Sequence, residues 1–199
     1  MGGRSVIANW PELLGAALGL INIALLVRRS VWNFPAAMAS VLLVGVTLFE
    51  ARLYSESGLQ AFFFVVNMVG WYQWSRASNA DQAVPVGWMT GPARIGWAAV
   101  TALLSLSLGW AMHCFTNAAL PFADSAVTGA SIAAQLLLNN RRIENWVLWI
   151  GIDVVSIGLF LNRELYFFAA LYVIFLGMSA IGLRQWVTSL KPERANQPT

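Results

Sequence analysis

The sequence predicts an all-α integral membrane protein with seven transmembrane helices in a 3+1+3 plan. The chain has 199 residues, of which 58% are hydrophobic and 11% are charged. Soluble domains carry about 25% charged residues, so this composition could not cover a soluble surface. Seven apolar stretches approach the length of about 20 residues that crosses a bilayer. Polar and aromatic residues also recur at one constant offset between the two ends of the chain, which predicts two parallel three-helix repeats.

Seven apolar stretches mark the predicted helices in order. They cover residues 10–27, 35–54, 58–75, 95–115, 124–140, 145–162 and 165–186. The first is followed by Arg28 and Arg29 rather than by a small-residue cleavage motif. We therefore interpret it as a helix of the fold and not as a signal peptide.

The basic residues predict the orientation. The N-terminus and the loops after the second, fourth and sixth stretches hold Arg4, Arg52 and Arg163. The opposite side holds Arg28, Arg29, Arg76, Arg94, Arg141, Arg142, Arg184, Lys191 and Arg194. Loops rich in Lys and Arg stay in the cytoplasm, so we expect the N-terminus outside and the C-terminus inside. An odd number of helices follows from that arrangement.

An internal repeat is visible without gaps at an offset of 112 residues. The matched pairs include Arg29 with Arg141, Asn33 with Asn145, Tyr54 with Tyr166, Gly70 with Gly182, Gln73 with Gln185 and Trp74 with Trp186. Apolar matches arise by chance, but these residue types rarely match by chance at one offset. The predicted units are a first repeat at 10–75, a connector with the linker helix at 76–123, a second repeat at 124–186 and a tail at 187–199. Parallel repeats of this kind occur in transporters, with the site at their interface.

One face of the sixth predicted helix is the main candidate site. Trp146, Trp149, Asp153 and Ser156 follow one another at spacings of three, four and three residues, which places them on one side of a helix. An ionisable residue within a membrane helix indicates a functional site. Asp153 could bind hydroxyl groups or a cationic ring, and the tryptophans could stack on that ring. The alternative is a structural aspartate bonded to a neighbouring helix, with the tryptophans as packing.

Further candidates for solute contact come from four other polar positions. Gln135 lies midway along the fifth helix, and Asn145 lies at the start of the sixth, where it could equally be an N-cap. Asn67 and Trp71 share a face of the third helix, although Trp71 could instead be an interfacial anchor.

Tyr172 and Gln73 complete the predicted site residues. Tyr172 could contact a solute or bond to a neighbouring helix, and the match of Gln73 with Gln185 also fits a paired structural role. In the first helix, Gly15, Gly19 and Asn22 form a small-residue face, which we interpret as a helix-packing face.

Four motifs resemble the Pnu family of vitamin-precursor transporters, best known for carriers of nicotinamide riboside. They are N-x-x-G-W-Y-x-W at 67–74, P-F-A-D-S at 121–125, E-N-W-V-L-W at 144–149 and D-V-V-S-I at 153–157. The resemblance extends from about Pro11 to Trp186. It implies a three-plus-one-plus-three helix plan similar in layout to the SWEET sugar transporters.

The resemblance implies facilitated diffusion of nicotinamide riboside across a bacterial inner membrane, with trapping by a separate cytoplasmic kinase. Thiamine and riboflavin are the alternative solutes, and a homotrimer is the implied assembly. No cofactor, metal or catalytic residue is expected. A membrane-embedded enzyme is disfavoured because one His, one Cys and few interior carboxylates supply little reactive chemistry. A purely structural membrane protein would need neither an interior aspartate nor a duplicated triplet, and the net charge of +3 gives no sign of nucleic-acid binding.

Overall fold

A computed structural model describes residues 10–50, 54–77, 85–116, 120–162 and 164–190, and within these ranges it contains seven α-helices. They are α1 (Trp10–Val27), α2 (Asn33–Glu50), α3 (Tyr54–Ala77), α4 (Gly91–Phe115), α5 (Pro121–Asn139), α6 (Glu144–Asn162) and α7 (Tyr166–Thr188). The predicted all-α class and the number of helices are confirmed. Helices α3 and α4 each begin four residues before the predicted stretch, because the helical hydrogen bonds continue beyond the apolar segment.

Six of the helices form a closed ring. Helix α1 packs against α2, α2 against α3, α3 against α5, α5 against α6, α6 against α7, and α7 against α1. Helix α4 lies outside the ring and packs against α5. This arrangement agrees with two helix triplets joined by a linker helix.

The turns that follow α1 and α5 have the same local structure. Arg29 and Arg141, which match in the repeat, adopt positive φ angles of 56° and 59°. The amide Nδ2 of Asn33 donates to the Ser30 carbonyl at 2.6 Å, and Nδ2 of Asn145 donates to the Arg142 carbonyl at the same distance. The repeat seen in the sequence is therefore present as a repeated turn, and in both copies the asparagine holds it.

Two tryptophans join helices from the two ends of the chain. The indole Nε1 of Trp74 in α3 donates to the Asn139 carbonyl at 3.1 Å, and Nε1 of Trp186 in α7 donates to the Leu26 carbonyl at 3.2 Å. Each bond thus joins the last helix of one triplet to the end of the first helix of the other. The two indole rings lie 6.0 Å apart.

Phe34 and Trp146 pack against these two tryptophans. We call the four rings of Phe34, Trp74, Trp146 and Trp186 the aromatic plug. Phe34 meets Trp74 edge-on with ring centres 5.2 Å apart, and Trp146 meets Trp186 edge-on at 5.5 Å. All four side chains are almost completely buried. Leu26, Val27, Leu138 and Ile143 surround them, so the main hydrophobic core lies at one end of the ring.

That end, which we call the basic end, also carries the described arginines. They are Arg28, Arg29, Arg76, Arg94, Arg141, Arg142 and Arg184. All of them lie where α1, α3, α5 and α7 end or where α4 and α6 begin. Arg4, Arg52 and Arg163, which the sequence predicts for the opposite side, lie outside the described residues, so the orientation stays a prediction.

The outer surface of the helix bundle, α4 included, is apolar. Ile95 and Phe115 are 73% and 87% exposed, and many other large apolar side chains also face outward. By length and composition alone, α4, α6 and α7 could cross a membrane, whereas α1 and α2 contain shorter apolar segments, Leu13–Val27 and Asn33–Thr47. An apolar exterior of this extent is typical of a protein embedded in a bilayer.

Gly182 in α7 allows a close approach to Trp146 at the basic end. A Cβ atom at this position would lie 2.5 Å from two carbons of the Trp146 ring. We expect Gly182→Ala to destabilise the protein by about 1–3 kcal/mol, because the buried ring has no room to move. Gly177→Ala on the same helix is the matched control, since a Cβ there would meet no atom within 4 Å. Thermal unfolding in detergent measures both, and equal melting temperatures for the two variants would contradict the expectation.

Candidate functional site

A central cavity of about 590 Å³ lies inside the ring and is lined by all six of its helices. Leu26, Leu138 and Trp146 of the hydrophobic core line it at the basic end. Along α1 the lining extends from Leu26 to Gly15, a length of about 17 Å at 1.5 Å per residue. Cavities of about 300–1,000 Å³ hold small organic ligands.

One wall of the central cavity carries a buried acid. Asp153 of α6 is 4% exposed, and its carboxylate accepts a hydrogen bond of 3.0 Å from Oγ of Ser179 on α7. Among the described residues that line the cavity, Asp153 is the only charged one. A buried carboxylate needs more compensation than one hydroxyl group provides, so this wall is suited to a cationic or hydroxyl-rich ligand.

Aromatic side chains form the surface next to the acid. Trp146 and Trp149 precede Asp153 on the same helix, and all three line the cavity. The indole N–H of Trp146 is buried and has no hydrogen-bond partner among the described residues. Tyr172 of α7 lies against Phe175, with ring centres 5.4 Å apart. Flat aromatic ligands bind to such surfaces by stacking.

An amide network joins α3 and α5 across the cavity. Nε2 of Gln135 donates to Oδ1 of Asn67 at 3.1 Å and to Oδ1 of Asn139 at 3.3 Å. Nδ2 of Asn67 donates to the Phe63 carbonyl at 2.8 Å. Gln135 and Asn67 both line the cavity, so the network holds the two triplets together and also presents polar atoms to a solute.

The structure brings together six of the nine predicted site residues. Asp153, Trp149, Trp146, Gln135, Asn67 and Tyr172 all line the central cavity. Asn145, Trp71 and Gln73 are not among its described lining residues. Asn145 is fully buried in the first turn of α6, whereas Trp71 is 38% exposed and Gln73 is exposed on the outer surface of α3.

The contribution of α1 to the cavity wall was not predicted. Gly15, Gly19 and Asn22 of α1, interpreted from the sequence as a helix-packing face, also line the cavity. Gly15 also packs, because its carbonyl accepts a hydrogen bond of 3.1 Å from Oγ of Ser40 on α2. The spacing of four and three residues in α1 was the signal, since it matches the face that continues to Leu26.

The charge pattern of the cavity does not suggest a metal centre. No group of three or more His, Cys, Asp or Glu side chains among the described residues could hold a metal ion. The ring encloses a cavity of a size suited to a small solute. One acid, aromatic side chains and amide groups line this cavity, and the helices around it have an apolar exterior. Such a combination of fold and site defines a membrane transporter for a small solute.

The comparison with known sequences identifies the family. The sequence model described as "Nicotinamide mononucleotide transporter" matches residues 9–188, and the chain belongs to that family. The family and its named relatives are transporters, in agreement with the class that the fold and cavity define.

Several relatives and one solved structure are similar over nearly the whole chain. The nicotinamide riboside transporter PnuC of Escherichia coli (strain K12) is 29% identical over 92% of this chain and 87% of its own length. The riboflavin/roseoflavin transporter RibM of Streptomyces davaonensis is 31% identical over 95% of this chain and 89% of its own. The crystal structure of the vitamin B3 transporter PnuC superposes with a TM-score of 0.77 and 22% identity, covering 92% of this chain and 82% of that one. That structure supports the fold.

Proposed function

We propose that the protein carries nicotinamide riboside across the bacterial inner membrane by facilitated diffusion, without chemical change of the solute. The observation that carries the proposal is Asp153, a buried acid beside Trp146 and Trp149 in a solute-sized cavity. The pyridinium ring of nicotinamide riboside is cationic and flat, and its ribose has three hydroxyl groups. A cation desolvated against tryptophan gains about 2 kcal/mol, and the carboxylate adds charge attraction at short range.

The charge of the cavity favours the nucleoside over the nucleotide for which the family is named. Among the described lining residues there is one acid, Asp153, and no Lys or Arg. Phosphate groups are bound by guanidinium or ammonium groups, and a phosphate placed beside Asp153 would be repelled. We therefore place a dephosphorylated solute in the cavity.

The mechanism that we propose is rocking of the two triplets about the central cavity. Under the positive-inside rule the basic end is cytoplasmic, the N-terminus is outside and the C-terminus is inside. The aromatic plug would then close the cytoplasmic end while the solute enters from outside. Separation of Trp74 from Trp186 would open that end, and a cytoplasmic kinase would trap the released solute. The predicted homotrimer is part of the same proposal.

Riboflavin is the second candidate solute. It is favoured by the riboflavin/roseoflavin transporter RibM, which is 31% identical to this chain over 95% of its length. The neutral isoalloxazine ring could stack on Trp149 and Tyr172 without using the charge of Asp153. Thiamine, which is cationic, is the third solute to be compared.

Uptake into liposomes that contain the purified protein tests the proposal. We expect saturable uptake of radiolabelled nicotinamide riboside with no imposed ion gradient, and no uptake of nicotinamide mononucleotide. Riboflavin and thiamine serve as matched competitors. If riboflavin alone showed saturable uptake, riboflavin would replace nicotinamide riboside as the proposed solute. Recovery of a chemically altered solute, or no uptake of any of the three, would overturn the transporter proposal.

A further inference from the structure

A second cavity lies outside the helix ring, at its basic end. It has a volume of about 340 Å³ and lies between the segment before α4, the first turns of α4 and the end of α5. Its lining residues are Trp88, Met89, Thr90, Ala93, Trp97, Leu137, Asn140 and Arg142. None of them lines the central cavity, so this space is separate from the proposed transport path.

The walls of the second cavity are held in place by specific contacts. Gly87 forms a β-bridge with Arg142, which attaches the segment before α4 to the turn after α5. Oε1 of Glu144 accepts hydrogen bonds from the Met89 amide at 2.9 Å and from Nε of Arg94 at 2.7 Å. These contacts fix the segment against both α5 and α6, so the cavity is preformed.

The polar side of the second cavity is cationic. Nη1 of Arg142 makes one long hydrogen bond of 3.4 Å to the Trp88 carbonyl. The nearby carboxylate of Glu144 pairs with Arg94, and in the part of the chain that the structure describes no carboxylate forms an ion pair with Arg142. The hydroxyl of Thr90 makes no capping bond to α4. An unpaired guanidinium with a hydroxyl nearby matches the oxygens of a phosphate group.

The other side of the second cavity is apolar and continues onto the outer face of α4. Trp97, Leu137 and Ala93 line it. Farther along α4, Val100 and Leu103 are 57% and 69% exposed. A cationic rim above an apolar floor, at the end of membrane helices that carries tryptophans, matches the headgroup and upper acyl chain of a phospholipid.

We propose that this second cavity is a binding site for an anionic phospholipid, with its phosphodiester at Arg142 and an acyl chain along α4. The charge of Arg142 is unpaired within the described protein, and a lipid phosphate would supply the missing partner. A bound lipid would also connect α4 to the end of α5, next to the turn that precedes the acid-bearing helix.

Native mass spectrometry of the full-length protein, titrated with phosphatidylglycerol in detergent, tests the site. We expect retention of the lipid by the unmodified protein and weakening by about fivefold or more in Arg142→Gln, the effect of one basic residue at an anionic surface. Arg76→Gln removes the same charge at the same end, outside the cavity lining, and should leave binding unchanged. Ala93→Trp fills the cavity and should weaken binding without any change in charge.

The outcomes separate the possible sources of the anion. Equal binding by the unmodified protein, Arg142→Gln and Ala93→Trp would overturn the proposal, and so would equal binding of phosphatidylcholine. Displacement of phosphatidylglycerol by an equal concentration of inorganic phosphate would assign the site to a soluble anion instead. If Arg142→Gln does not fold, as judged by its melting temperature, the comparison of Ala93→Trp with the unmodified protein decides the matter.

Discussion

Replacing Asp153 with asparagine should weaken binding of nicotinamide riboside about tenfold to a hundredfold, a loss of about 1.4–2.8 kcal/mol. Asparagine has the same shape, and its Oδ1 can still accept the bond that Ser179 now donates at 3.0 Å. What the variant loses is the single charge among the described lining residues. Titration of the intrinsic tryptophan fluorescence measures the effect, since Trp146 and Trp149 line the same cavity.

Two controls show whether charge or hydrogen bonding is responsible. Riboflavin is neutral, so its affinity should change little in Asp153→Asn if it binds at all. Ser179→Ala removes the hydroxyl partner and retains the charge, and we expect it to weaken binding of the cationic solute much less than Asp153→Asn does. Unchanged affinity in a folded Asp153→Asn would make the aspartate a structural residue that links α6 to α7.

The features of this fold that are set by residues close together in the chain could be predicted from the sequence. The constant offset matches Asn33 with Asn145 and Trp74 with Trp186, and in the structure each matched pair makes the same type of side-chain hydrogen bond to a backbone carbonyl. The spacing of Trp146, Trp149 and Asp153 placed them on one face because helix periodicity is a local property. That face lines the cavity.

The contribution of α1 to the cavity could not be predicted in the same way. Gly15, Gly19 and Asn22 are small, and small residues in membrane helices favour both close packing and open space. Which of the two occurs depends on closure of the ring through the α1–α7 and α3–α5 contacts, which join residues far apart in sequence. The sequence also could not show which tryptophan of α3 is buried. Trp71 and Trp74 both lie near the end of α3, yet Trp74 is fully buried and Trp71 is 38% exposed.

Replacing either Trp74 or Trp186 with phenylalanine should open the basic end of the cavity. Each substitution retains an aromatic ring but removes the indole N–H that donates to the Asn139 or the Leu26 carbonyl. The Leu26 carbonyl still accepts the Arg29 backbone N–H at 2.8 Å. A lost hydrogen bond contributes about 0.5–1.5 kcal/mol, so the population of the open state should rise about twofold to tenfold. Because the Leu26 carbonyl keeps a second donor in Trp186→Phe, we expect the larger effect in Trp74→Phe.

Labelling of a cysteine inside the cavity measures that opening. Ile23 lines the cavity next to the core at the basic end. We would introduce Ile23→Cys into a Cys114→Ser background and add a membrane-impermeant maleimide to inverted membrane vesicles. Labelling should accelerate in Trp74→Phe and Trp186→Phe but not in Trp71→Phe, which alters the same helix as Trp74 but lies outside the plug.

Acceleration in one variant alone would show that the two bonds are not equivalent and that one triplet moves while the other stays fixed. Unchanged labelling in both variants would mean that the plug is structural core and that solute leaves by another route.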